Sequence, residues 1–153
     1  VATNTNREIV NHLEQEFAAL LESLKGLVSS VRWELVYRAA PAPSIGENIL
    51  RSAAVVEQMC GGLTANLWDD PFEWTLPETL SSAALIVEYL SEVDQMRQRA
   101  FTSITDDTAL SKFISVPSGE PCRLVGLLLQ TLVTASDYRG RAIILTGFQD
   151  LHD

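Results

Sequence analysis

The chain has 153 residues, 46% of them hydrophobic and 20% charged, which fits one globular domain able to bury a full core without covalent staples. Its net charge of -9 argues against a nucleic-acid binder, which needs a basic face to replace phosphate counterions, and against an anionic membrane surface. Its two cysteines, Cys60 and Cys122, lie far apart and outside any C-x-x-C, so neither a disulfide framework nor a zinc ribbon is expected.

Helical periodicity dominates from the start. Thr5-Asn6-Arg7-Glu8 reads as a capping box. Ile9, Leu13, Phe17, Leu20, Leu24, Leu27 and Val31 follow in steps of three and four, one apolar stripe on one helix face. This helix should fade between Val31 and Trp33, and Pro41 and Pro43 break what comes next. Ser44-Ile45-Gly46-Glu47 is a second capping box. Ile45, Ile49, Ala53, Val56, Cys60 and Leu63 carry the stripe behind it, and Gly61-Gly62 weakens the last turns before an end near Leu67. "WDDPFEW" is a loop whose Trp68 and Trp74 are expected to cover one end of the core.

Thr75-Leu76-Pro77-Glu78 is a third capping box, with proline early in its helix. Leu80, Ala83, Val87, Leu90 and Val93 give the stripe, to an end near Phe101. A short helix is predicted over 106–113, and "SVPSGEP" is loop. The last helix should start near Pro121 or Cys122, run to about Thr146 and stop at Gly147. Its first half is apolar on nearly all sides, which predicts the most buried helix. No alternating strand pattern stands out. Leu124 to Val133, the longest apolar run, is too short to span a bilayer, and no leader pattern opens the chain. A cytoplasmic protein with reduced thiols is the expectation. The fold class is all-α: a four-helix bundle with a short extra helix before the last long one.

Two segments resemble the DinB-like family. "LVYRAAPAPSIGENILRSAA" resembles its junction of helices 1 and 2, and "TASDYRGRAIILTGF" resembles its last-helix pattern His-x-x-x-His-Arg-Gly-Gln through Arg139-Gly140. The resemblance runs from about Ile9 to Phe148. It implies a four-helix bundle, often a homodimer, with a divalent metal on three histidines, and in some members thiol-dependent transferase or isomerase chemistry.

The departures decide what can be carried over. The histidine position of the second helix is Arg51 here, those of the last helix are Thr134 and Tyr138, and the glutamine after Arg-Gly is Arg141. Arginine has no acceptor and stays cationic, threonine is a poor ligand, and tyrosine binds metal well only as phenolate. No metal is expected at this position and no cofactor is predicted. Arg51, Thr134, Asp137 and Tyr138 are the candidate pocket residues, with Asp137 a partner for Arg51 or Arg139. Two accounts stand side by side: a hydrogen-bond network that fills the vacated site, and a pocket for a small anion anchored by Arg51. The corresponding functions are a non-catalytic or ligand-binding protein and, as the alternative, a metal-independent thiol-dependent enzyme using the same pocket.

The remaining candidates have plain structural accounts. His12 sits four residues from both Glu8 and Glu16, a solvated helix flank; His152 lies beyond the last helix. Asp94 at the edge of its stripe should meet solvent or an arginine. Gly140 should mark a close helix crossing, and Arg139 an ion pair at its edge. Cys60 has no neighbouring base, and Cys122 near a helix N-terminus is expected to be a packed thiol.

Overall fold

The computed structural model describes residues 6–73, 77–117 and 119–150. The chain is all-α in character. Four of its helices are long: α1 (Glu8–Ser30), α3 (Ile45–Ala65), α4 (Ala83–Thr102) and α5 (Leu124–Asp150); α2 (Trp33–Val36) is a single turn. α3 packs against α4 on one side and α5 on the other, and α1 packs against α4 and α5. One core runs between them, built on Phe17, Leu21, Leu24, Ile49, Leu90 and Phe101. Phe17 and Phe101 meet in this core with ring centroids 5.5 Å apart.

The predicted stripes hold with shifts of phase. In α1 the core takes Val10 while Ile9 is exposed. The α1 cap predicted at Thr5 lies outside the described residues. The helix end is instead capped from far along the chain. Asp107 accepts from the Ile9 amide at 3.1 Å and the Val10 amide at 2.9 Å. Arg7 donates to the carbonyls of Phe101 at 2.6 Å and Ile104 at 3.1 Å. Orphan amides of α1 and carbonyls near the end of α4 are thus satisfied by charged side chains.

The Ser44 box forms as expected, with the hydroxyl accepting from the Glu47 amide at 3.1 Å. α3 ends one turn after the glycine pair, and Asn66 takes the left-handed conformation at φ 54°. Gly62 is needed here, because a Cβ would lie 2.3 Å from the Trp68 ring. Trp68 therefore folds back over the helix end, as its covering role predicts; Trp74 lies outside the described residues. Gly46 does the same for α2, letting Tyr37 lie on α3 where a Cβ would meet its ring at 2.4 Å.

α4 begins later than the third capping box implies. Thr75 and Leu76 are outside the described residues, and the observed N-cap is Ser82, which accepts from the Leu85 amide at 3.2 Å. Pro71–Glu73 and Asp107–Ser111 form short 3-10 turns, the second where the short extra helix is predicted. A small hairpin departs from the expected absence of strands. Strands β1 (Phe113–Ile114) and β2 (Cys122–Arg123) pair antiparallel, Phe113 with Arg123 and Ile114 with Cys122. Two residues per strand carry no readable alternation.

α5 differs most from expectation. It starts at Leu124 and continues through Gly147. It is not the most buried helix. Leu128, Ala135 and Ala142 are fully buried, but Val133 is 68% exposed and Ile144 63%. α3 holds the central place instead, buried at Ile49, Leu50, Ala53, Val56 and Cys60.

Because Asp107 caps α1 across the fold, Asp107→Ala should cost about 1 kcal/mol and lower the melting temperature by roughly 2–4 °C. Asp107→Asn, which keeps an acceptor, should lose less. Thermal denaturation followed by circular dichroism measures both, and an unchanged melting point for the alanine variant would mean that this end of α1 has another cap.

Candidate functional site

The seam between α3 and α5 is built from small residues. Ser52 is fully buried and donates its hydroxyl to the Ala135 carbonyl at 2.7 Å. Ala53, Ala54 and Ala135 let the two backbones approach around it. The larger side chains at the edge of the seam, Arg51 on α3 and Tyr138 on α5, therefore flank one cleft.

This cleft is about 70 Å³ and is lined by Arg51, Ala54, Val55, Gln58, Asp70, Phe72 and Tyr138. The Arg51 guanidinium lies over the Phe72 ring, 3.9 Å from its centroid, close enough for a cation–π contact. Among the described residues, Arg51 Nε is buried without a hydrogen-bond partner. Asp70 shares the cleft, but none of the described ion pairs joins it to Arg51. Its Oδ1 accepts from the Phe72 amide at 3.0 Å, which holds the loop.

A second cavity of about 390 Å³ adjoins the first and shares Val55 and Gln58 with it. Its apolar wall includes Met59, Trp68, Val116, Pro117 and Leu127, and its polar groups include Gln130, Thr131, Cys122 and Glu120. Gln58 donates to the Trp68 carbonyl at 2.7 Å, so the covering tryptophan loop is tied to the partition between the two spaces. The sequence does not announce this cavity. Its walls come from α3, α5, the Trp68 loop and the segment between the strands, and no local pattern marks that convergence.

The four predicted pocket residues divide. Arg51 and Tyr138 line the cleft together. Thr134 is half-buried on the same helix and Asp137 is exposed; neither belongs to the lining. Asp137 pairs with Arg141 at 2.8 Å, not with Arg51 or Arg139, because one helical turn separates the two on the same outer face. Arg141 also lies 5.2 Å from the Tyr138 ring centroid. Arg139 Nε is buried without a partner among the described residues, so the predicted ion pair is absent there. Gly140 marks no crossing within the chain: a Cβ at this position meets nothing within 4 Å.

The other candidates resolve simply. Asp94 accepts from Arg97 Nε at 2.9 Å, and Arg97, buried, reaches Glu14 at 3.4 Å. His12 and its flanking glutamates lie on the exposed side of α1. Among the described residues no three of His, Cys, Asp and Glu stand together as a metal-binding group; His152 lies outside them. No helix of the described residues is long and apolar enough to cross a membrane. Cys60 is fully buried, and burial pushes its thiol up to about 12. Cys122 sits in β2 on the wall of the larger cavity, not in the first turn of α5.

Compared with models of known protein families and with curated proteins, the chain matches none.

Glu57, next to this wall on α3, gives a pH signature. Burial raises its carboxyl above the usual range; the hydrogen bond from the Tyr89 hydroxyl at 3.3 Å opposes this, and the charge of Glu92 adds to it. A carboxyl raised on folding contributes its stability below the unfolded value and loses it as pH rises through the folded one. Glu57→Gln should therefore melt higher than the parent at pH 7, with a gap that closes toward pH about 4. Melting curves across that range test this, and a gap independent of pH would show that ionisation of Glu57 is not the cause.

Proposed function

We propose that the chain is a DinB-like four-helix bundle whose former metal position holds a small organic monoanion. The reading draws on the two segments that resemble the family, of which Ser44 caps α3 and Arg139-Gly140 lies within α5. The family's metal does not suit the residues present. Arg51 is cationic and has no lone pair to offer, and Tyr138 is the only oxygen donor that α5 places in the cleft.

The observation that carries the reading is the buried, unpartnered Nε of Arg51 in a cleft that opens beside a much larger cavity. A buried N–H without an acceptor is costly even where the guanidinium stacks on a ring. A carboxylate bound there would satisfy it with charge-assisted hydrogen bonds, and Tyr138, which lines the same space, would offer its hydroxyl as a further donor.

The cleft suits a head group and not a whole molecule. The larger cavity, with Val55, Met59, Trp68 and Leu127 on its wall, falls within the usual range for small-molecule sites. It accommodates an apolar body. Asp70 on the cleft wall repels a second negative charge, which favours a monoanion over phosphate-like ligands. In this reading the protein binds and does not transform: among the described residues the cleft wall carries no Ser, Cys, Lys or His, and Asp70 is engaged by the Phe72 amide.

A thermal-shift panel of medium-chain carboxylates, with phosphate and sulfate as controls, tests the proposal. A ligand at a hundred times its Kd adds about 2.7 kcal/mol to stability, so a bound carboxylate should raise the melting point by roughly 5–10 °C. Arg51→Met should fold normally and lose that shift. Equal shifts in both proteins, or no shift with any carboxylate, would refute Arg51 as an anion anchor.

A further inference from the structure

The larger cavity has a buried hydroxyl on its wall. Thr131 of α5 lines this space and is only 6% exposed. A threonine within a helix can satisfy its hydroxyl on the carbonyl one turn back. Thr64, Thr102 and Thr146 all do so, each at 2.8 Å. Thr131 does not: among the described residues its hydroxyl has no hydrogen-bond partner, on Leu127 or elsewhere. Ser44 and Ser52 are buried to a similar degree, and both are engaged, one in capping α3 and the other across the seam. A buried hydroxyl without a partner is costly, and this one stands on the wall of a space of about 390 Å³.

Its place relates it to the cleft. Thr131 and Tyr138 lie two turns apart on one face of α5, about 10.5 Å along the helix axis. On α3, Arg51, Val55 and Gln58 follow one another at helical spacing, and Val55 and Gln58 line both spaces. An extended chain advances about 1.2 Å per bond, so about nine bonds carry a ligand from a carboxylate at Arg51 to the Thr131 hydroxyl. The wall offers Val55, Met59 and Leu127 to the body of such a ligand. Glu120 also lines the cavity, so a second carboxylate at the far end meets a like charge. A neutral oxygen does not, and a threonine hydroxyl both donates and accepts, which suits an alcohol or a carbonyl. We infer that Thr131 sets the specificity of this cavity, and that the ligand is a medium-chain monocarboxylate carrying a hydroxyl or carbonyl oxygen at the end remote from its carboxylate. The carboxylate at Arg51 rests on the reading proposed above; the unpartnered Thr131 hydroxyl is a separate observation.

Isothermal titration of the full chain with nonanoate, ω-hydroxynonanoate and nonanedioate, and with hexanol as a probe that lacks the carboxylate, provides the test. The parent should bind ω-hydroxynonanoate about tenfold more tightly than nonanoate, and more tightly than nonanedioate. Thr131→Val, which keeps the shape of the side chain, should bind nonanoate as the parent does and lose the preference for the hydroxylated chain. Without ligand this variant should melt no lower than the parent, since it removes a buried hydroxyl that has no partner. A parent that binds nonanoate and ω-hydroxynonanoate equally, or a Thr131→Val that keeps the preference, would overturn the inference and leave Arg51 as an anion anchor. A lower melting point for Thr131→Val would overturn it too, by showing that the hydroxyl is satisfied within the chain. If no carboxylate binds, yet hexanol does and binds about tenfold more weakly to Thr131→Val, the anchor at Arg51 falls and the Thr131 contact is upheld. Binding of none of these probes would overturn both.

Discussion

The hydrogen bond from the Ser52 hydroxyl to the Ala135 carbonyl sets the distance between α3 and α5, and much of the molecule depends on that distance. A fully buried hydroxyl needs a partner, and this one finds it on the neighbouring backbone, which only a close approach permits. Ala53, Ala54 and Ala135 leave room for it. With the helices this near, side chains larger than alanine are pushed to the edges of the seam. Arg51 and Tyr138 consequently share a cleft, and Met59 and Leu127 stand apart far enough to leave a cavity between them.

The same seam explains the uncovered side of α5. A helix packed against α3 and α1 turns only part of its circumference inward. Leu128, Ala135 and Ala142 take that inner side. Nothing else in the described residues is placed to cover the outer one, so its apolar residues face outward. A sequence apolar all round reads as a buried helix, and the reading presumes a cover from the same chain. Here no other described element supplies it.

Legibility follows the range of the interactions. The Ser44 cap, the apolar stripes of α1 and α3 and the break at Pro41 and Pro43 are local, and they are readable. The Asp107 cap on α1 joins residues 97 apart in sequence and leaves no local trace. α4 starts at the Ser82 cap, five residues before Val87 of the predicted stripe. In the site, Arg51 and Tyr138 stand out through the family resemblance, which supplies a pairing between helices that periodicity cannot. Asp137 is misplaced by equating adjacency in sequence with adjacency in space, while one helical residue is a rotation of about 100°. The larger cavity has no signal, since four separate segments build it.

Arg141 lies between the outer face of α5 and the cleft wall. Its guanidinium bonds Asp137 at the edge of the outer stripe and lies beside the ring of Tyr138 on the cleft wall. In the proposed ligand reading, a carboxylate at Arg51 would take a hydrogen bond from Tyr138 and order that ring from the other side. The exposed Asp137–Arg141 pair contributes little to stability by itself. Its consequence lies in position, because among the described ion pairs it alone reaches both the apolar stripe and the wall of the cleft.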